Sequence, residues 1–382
     1  MSEYQYYEFQ AVDRPLTEKE MGELRSYSTR ARITPTCFIN DYSWGSFKGD
    51  EDRWMEKYFD AFLYFANWGT HVFKLRLPSR LLDLDTAHLY CSGEWVFAFE
   101  KNGKVILTFV SEDEGGDDWV EGEGRLSSLI SIRAEIARGD LRALYLGWLL
   151  CLQSRELGDE DEEPPVPPGL GQLSASLESL VAFLRIDPDL LDVAAQASRP
   201  MEEASPKTGE IRKWIGKLPA GEKDNLLTRF ITGEEATLAM ELMRRFIDEG
   251  DKRSRGEAEE IKRRTAGELL HAAEDLTEKR RKLAAVKAAE EKARRAHEAE
   301  ILRGKHLEMI AGKEPELWNQ IENLIATKQP KRYDRAVELL VDLRDLATRK
   351  GRKEGFETRL DALRASHVRK PAFIEKLRKG GL

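Results

Sequence analysis

The spacing of apolar positions changes along this chain, and the changes mark its parts. Tyr4 to Val12 is a run of β-formers closed by Asp13-Arg14-Pro15, which predicts a strand. Thr17-Glu18-Lys19-Glu20 has capping-box spacing, with Leu16 and Met21 placed as a hydrophobic staple, so a helix is predicted from about Glu18 to Tyr27. Ile33 to Tyr42 reads as a second strand, with Pro35 marking an edge or an irregular start. Asp50-Glu51-Asp52 brings negative charge to the start of a helix predicted over Arg53 to Trp68. That segment is apolar nearly all round and therefore calls for burial on several sides. His71 to Leu77 alternates like a strand, and Glu94 to Glu100 with Lys104 to Val110 form a hairpin around Asn102-Gly103.

Helices follow over Leu126 to Ala137 and Leu141 to Leu152, the second with its leucines and aromatics on one face. Residues 1–157 thus predict an α+β domain, a mixed sheet with helices. Residues 158–171 are acidic and then proline-rich, which predicts an extended linker. Beyond it the pattern is all-α. A small helical bundle is expected over 172–255, with Leu226, Leu227, Phe230, Ile231 and Leu238 among its core residues. A long charged helix is expected over 256–312, where Glu291 and Arg295 are one of several i,i+4 pairs. Leu269, Leu276 and Leu283 are seven apart, but the series runs on into Glu290 and His297. A single salt-bridged arm is therefore preferred to a coiled coil. Residues 313–382 read as a basic helical hairpin tail.

Composition sharpens this division. About three quarters of the Phe, Trp and Tyr residues precede residue 150, so the bulkiest core lies there. The net charge of −8 gives no global footprint for nucleic acid. Three widely spaced cysteines fit a reducing compartment. The N-terminus shows no basic-then-apolar leader, and the longest apolar tract, Leu144 to Leu152, is too short to cross a bilayer. A cytoplasmic protein is expected.

Trp318, Ile321 and Ile325, followed by Tyr333-Asp334-Arg335-Ala336, Leu340 and Leu343, resemble a tetratricopeptide-type helical hairpin. An ordinary αα-hairpin accounts for the same pattern. The stretch Leu317 to Leu346 is also similar to the tails of some bacterial SWIM-type zinc-finger proteins. The Cys/His set of such a zinc site is absent, so no zinc function is implied. Over nearly its whole length the chain resembles a family of bacterial hypothetical proteins. Tyr7-Glu8-Phe9-Gln10-Ala11-Val12-Asp13-Arg14-Pro15, Asp140 to Leu149 and Ile325-Ala326-Thr327-Lys328 carry that likeness, which implies no activity.

Chemistry-bearing motifs are few. The six histidines have no zinc-ligand spacing, no glycine loop is free of carboxylates, and no nucleophile elbow or cofactor motif is read. Asp113, Asp117 and Asp118 in an acidic loop are the candidates for a hard cation. Trp318 and Tyr333, with Lys328, Lys331, Arg332, Arg349, Lys350, Arg352 and Lys353, are the candidate partner-binding residues. The leading expectation is a non-enzymatic adaptor or assembly subunit, with a protein partner held by the N-terminal domain and the C-terminal helices. The alternatives are nucleic-acid binding through residues 328–382 and an enzyme whose site lies in the α+β domain, near Trp44, His71 or Cys91.

Overall fold

The computed structural model describes residues 4–91, 93–112, 122–201, 208–232, 238–254 and 263–382, apart from the side chains at 247, 248 and 250–254. The chain forms two compact units, Met1–Lys279 and Arg280–Leu382.

The first unit is built on seven strands: β1 (Gln5–Gln10), β2 (Arg32–Thr34), β3 (Cys37–Tyr42), β4 (Ala61–Ala66), β5 (His71–Pro78), β6 (Val96–Lys101) and β7 (Lys104–Ser111). They lie in the order β2-β3-β1-β4-β5-β7-β6. The α+β class holds, but all six pairings are antiparallel rather than mixed. Three of them join consecutive strands through short turns, which antiparallel pairing permits and parallel pairing does not. At the β6–β7 turn Asn102 and Gly103 both have positive φ, 53° and 70°, as a two-residue hairpin loop requires.

Two expectations fail in this sheet. The predicted helix over Arg53 to Trp68 is a short helix, α2 (Glu51–Lys57), followed by β4. Because β4 lies between β1 and β5 and is buried on both faces, its Ala-Phe-Leu-Tyr-Phe-Ala run lacks alternation. Periodicity does not separate such a strand from a buried helix. The strand expected over Ile33 to Tyr42 is instead the β2–β3 hairpin, turning at Pro35 and Thr36.

The sheet packs on both faces. On one, Tyr7, Phe9, Phe38 and Phe62 meet α1 (Glu18–Arg25) and α2 through Leu24, Trp54 and Met55. The capping box that starts α1 is formed: Glu20 N–H donates to the Thr17 hydroxyl, and Thr17 N–H to the Glu20 carboxylate. On the other face, Leu63, Phe65, Phe73, Leu75, Leu107 and Phe109 belong to the larger core. After α3 (Leu84–His88), that core is covered by α4 (Arg125–Leu129), α5 (Ser131–Ala137), α6 (Arg142–Gln153), α7 (Ala175–Leu184) and α8 (Pro188–Ala195). Helix α6 is buried from Arg142 to Leu152, not on one face alone. Gly147 lets it lie close on the hairpin: a Cβ there would stand 2.8 Å from Phe109 and 2.9 Å from Val96.

Buried charge in this unit is paired. Asp60 accepts N–H bonds from Val12 and Asp13 at 2.7 and 2.8 Å and two guanidinium N–H bonds from Arg76. The acidic, proline-rich stretch is not an extended linker. Glu163, 3 % exposed, accepts the Tyr145 hydroxyl and a two-pronged contact from Arg264 at 2.6 and 2.8 Å. Pro164, Pro167 and Leu170 are buried with it.

Three further helices complete the unit: α9 (Thr208–Lys217), α10 (Ala220–Thr232) and α11 (Leu238–Ser254). The long helix α12 (Ala266–Ile310) follows. Leu269 sits in the first unit's core, Leu276 is half-buried against it, and Leu283 is exposed, so the heptad series has no continuous seam. Residues 281–300 are exposed on every side, and Glu291 pairs with Arg295 at 2.5 Å.

In the second unit, α13 (Glu314–Ala326), α14 (Pro330–Arg349), α15 (Lys353–Ser366) and α16 (Pro371–Lys379) share one core around Ile321, Ile325, Leu340 and Phe373. Asp342 on α14 binds Arg303 and His306 of α12. Helix α16 went unread in the sequence because nine residues are too short to show a period.

Candidate functional site

Two of the thiols, Cys91 and Cys151, are buried and poor nucleophiles. Burial pushes the Cys91 thiol up to about 12 and raises that of Cys151, where the Glu156 carboxylate adds to the effect. Cys37 is half-buried on β3, with its sulfur 3.0 Å from the Thr34 hydroxyl. Trp44 is exposed beside the Arg30 guanidinium. Among the described residues no group of three or more His, Cys, Asp or Glu could hold a metal ion. Asp113, Asp117 and Asp118 lie outside the described residues.

The predicted partner-binding residues of the tail separate into three sets. Trp318 and Tyr333 are buried, Trp318 against Phe356 under the Arg359 guanidinium and Tyr333 against Phe373, so their rings are committed to the core. Arg349, Lys350 and Lys353 pair with Glu308, Glu314 and Glu357 at 3.2, 2.7 and 3.5 Å. Lys328, Lys331, Arg332 and Arg352 are exposed. The second unit nevertheless has 26 basic and 16 acidic residues, a net +10, which leaves −18 on the first.

The clearest surface feature is α10, whose apolar residues were expected in a bundle core. Trp214 on α9 is held there, its indole N–H on Glu249 at 2.8 Å and its ring against Phe246. Glu222, Leu226 and Arg229, at i, i+4 and i+7, make the partly covered side of α10. Arg229 pairs with Glu241 at 2.7 Å, and Glu222 with Arg245, which fixes that side on α11. The neighbouring stripe is left out: Leu227 is 59 %, Phe230 73 % and Ile231 80 % exposed. No residue of α10 is buried. Of the expected core residues Leu238 is buried, but Leu227, Phe230 and Ile231 are not, and among the described residues ion pairs to α11 hold this helix.

Each unit also has a concave surface. In the second unit a groove of about 710 Å³ runs between α15 and α16, lined by Arg364, Val368, Ile374, Leu377, Arg378 and Leu382 among others. In the first unit a cleft of about 320 Å³ opens beside His71, the histidine singled out in the sequence, with Arg125, Ser128, Ser179 and Arg185 on its walls.

No protein-family model, curated protein or solved structure matches the chain. No described helix is long and apolar enough to cross a membrane.

Proposed function

We propose that the chain is a cytoplasmic adaptor or assembly subunit that binds another protein through the apolar face of α10. The observation that carries this reading is the exposure of Leu227, Phe230 and Ile231 at i, i+3 and i+4 on one helix. Single exposed apolar residues are ordinary on a protein surface, whereas a contiguous stripe of large ones marks an interaction site. Fully burying one such side chain is worth about 1.5–3 kcal/mol. Scaled by the exposed fractions, the three together offer about 3–6 kcal/mol before the costs of association. Their spacing suits an amphipathic helix of the partner, laid along α10 by its own apolar stripe. The groove between α15 and α16, of mixed apolar and charged lining, supplies a second concave surface on the second unit, and an adaptor needs one on each.

A photoreactive residue placed at Phe230, with a control at exposed Asn225 on the other side of α10, tests the reading. The expected result is one defined protein joined from position 230, not from 225, and lost when Ile231→Asp is added. Equal yields from both positions, or joining only to a second copy of the chain, would remove it.

Net charge of +10 on the second unit favours nucleic-acid binding as the second reading. Against it, Arg349, Lys350, Lys353, Arg364 and Lys376 each have a carboxylate partner. Affinity for DNA or RNA that stays constant between low and physiological salt would end that reading.

A further inference from the structure

The groove on the second unit arises from the way its helices pack. Helices α15 and α16 share one core with α14, and both pack on α14 rather than on each other. The turn at 367–370 joins them at one end, and the space between them stays open as the groove. Leu377 and Leu382, both buried, close its floor. Val368, 70 % exposed, and half-buried Ile374 stand on its walls. Every residue of the second unit is among the described ones.

Shape narrows the choice of occupant. Both walls are helices, whose main-chain N–H and C=O groups are bonded within the helix. An extended segment laid between them would find no main-chain partner and would leave its own polar groups unpaired. A helix brings its main-chain bonds with it and needs from the groove only apolar contact along one face. Two turns of such a helix project about three or four apolar side chains, and a groove of about 710 Å³ admits them.

Charge narrows it further. Three charged side chains line the groove. Glu375 is held by Lys379 at 2.8 Å, and Arg364 by Asp361 at 3.0 Å. Both pairs are exposed and hold their partners weakly. Arg378 is exposed and has no side-chain partner among the described residues, so its five N–H groups are open to a ligand. A guanidinium so placed accepts a carboxylate in a two-pronged contact. The unit around it carries +10, which draws an acidic partner and repels a basic one.

We infer that this groove docks an amphipathic helix of a protein partner, its apolar stripe on Val368 and Ile374 and its acidic flank on Arg378. The docked helix takes the place between α15 and α16 that their packing on α14 leaves open. The inference rests on the adaptor reading only in giving the groove a protein occupant, and the α10 face plays no part in it.

Fluorescence anisotropy of the full chain with two labelled model peptides of about 18 residues, long enough to be helical in water, tests this. Both carry leucines at i, i+3, i+4 and i+7 spacing, one flanked by glutamates and the other by lysines. The glutamate peptide should bind saturably and at least tenfold more tightly than the lysine peptide. Arg378→Glu should weaken the glutamate peptide at least tenfold. Val368→Asp, at an exposed position, should weaken both peptides while melting within about 2 °C of wild type. Phe230→Asp with Ile231→Asp should bind the glutamate peptide as wild type does; loss of binding there would place the peptide on α10 and overturn the inference. Equal binding of the two peptides, unchanged binding in a folded Arg378→Glu, or no saturable binding at all would overturn it too. So would displacement of the glutamate peptide by an equal concentration of an oligonucleotide, which would make the groove a nucleic-acid surface. Each of these failures leaves the crosslinking test at position 230 as it stands.

Discussion

The clamp on Glu163 allows a quantitative test of how the first unit is closed. Residues 163 and 264 are held together by the bidentate Arg264 contact and by the Glu163 N–H bond to the Arg264 carbonyl at 2.9 Å. Helices α7 to α11 lie in the chain between them. Glu163→Gln keeps the shape and removes the charge, leaving the guanidinium without its carboxylate. Breaking a fully buried pair in this way costs about 3–5 kcal/mol. The Arg264 side chain is 27 % exposed, so water recovers part of that, and about 2–4 kcal/mol is expected. For a unit of this size each kcal/mol moves the melting temperature by about 2–4 °C, so calorimetry should show a fall of about 4–16 °C. Limited proteolysis should at the same time begin to cut in residues 158–170. Adding Arg264→Met, which removes the orphaned charge, should restore part of the loss. A fall below about 1 °C with unchanged proteolysis would refute the reasoning and return the segment to a loose linker.

Two further outcomes follow from the same packing. Burial raises the Asp60 carboxyl, but Arg76 and the Asp13 and Val12 N–H groups outweigh it and hold the group below the ordinary aspartate range. Its contribution is therefore complete above the unfolded value of about 3.9 and is lost as pH falls through the folded one. Asp60→Asn should melt lower than wild type at pH 7, with the gap narrowing below about pH 4; a constant gap from pH 7 to pH 2 would contradict this. In native protein a colourless thiol reagent such as Ellman's should titrate Cys37 alone, because Cys91 and Cys151 are buried, and all three in urea. Two or three reactive thiols in the native state would place the α6 packing in error.

What could be read in advance was local chemistry. The Thr17–Glu20 capping box, the Asn102-Gly103 turn and the long charged helix depend on residues close in sequence, and each forms, although the helix expected from 256 starts at Ala266. The failures share a different cause. β4 has the composition of a buried element of either kind, and only its neighbours β1 and β5 decide that it is a strand. The acidic, proline-rich stretch looks solvated until Arg264, 101 residues away, supplies a counter-charge. Trp318 and Tyr333 look like anchors for a partner, but Phe356 and Phe373 from α15 and α16 already cover them. The stripe on α10 shows the converse: its apolar spacing is plain, yet whether it faces a core depends on what lies above it. The His71 cleft was legible only as one isolated residue, since its walls come from positions 71 to 185.

The apolar face of α10 is the centre of the functional account, and an affinity measurement tests it most directly. Once the protein joined from position 230 is in hand, its binding should be titrated against wild type and against Phe230→Asp with Ile231→Asp. Neither side chain supports the fold, so the double variant should melt within about 2 °C of wild type, as surface substitutions within about 0.5 kcal/mol do. Binding should weaken at least 100-fold, the loss of about 3 kcal/mol of the apolar contact. An affinity unchanged within twofold, in a variant that melts as wild type does, would contradict the account.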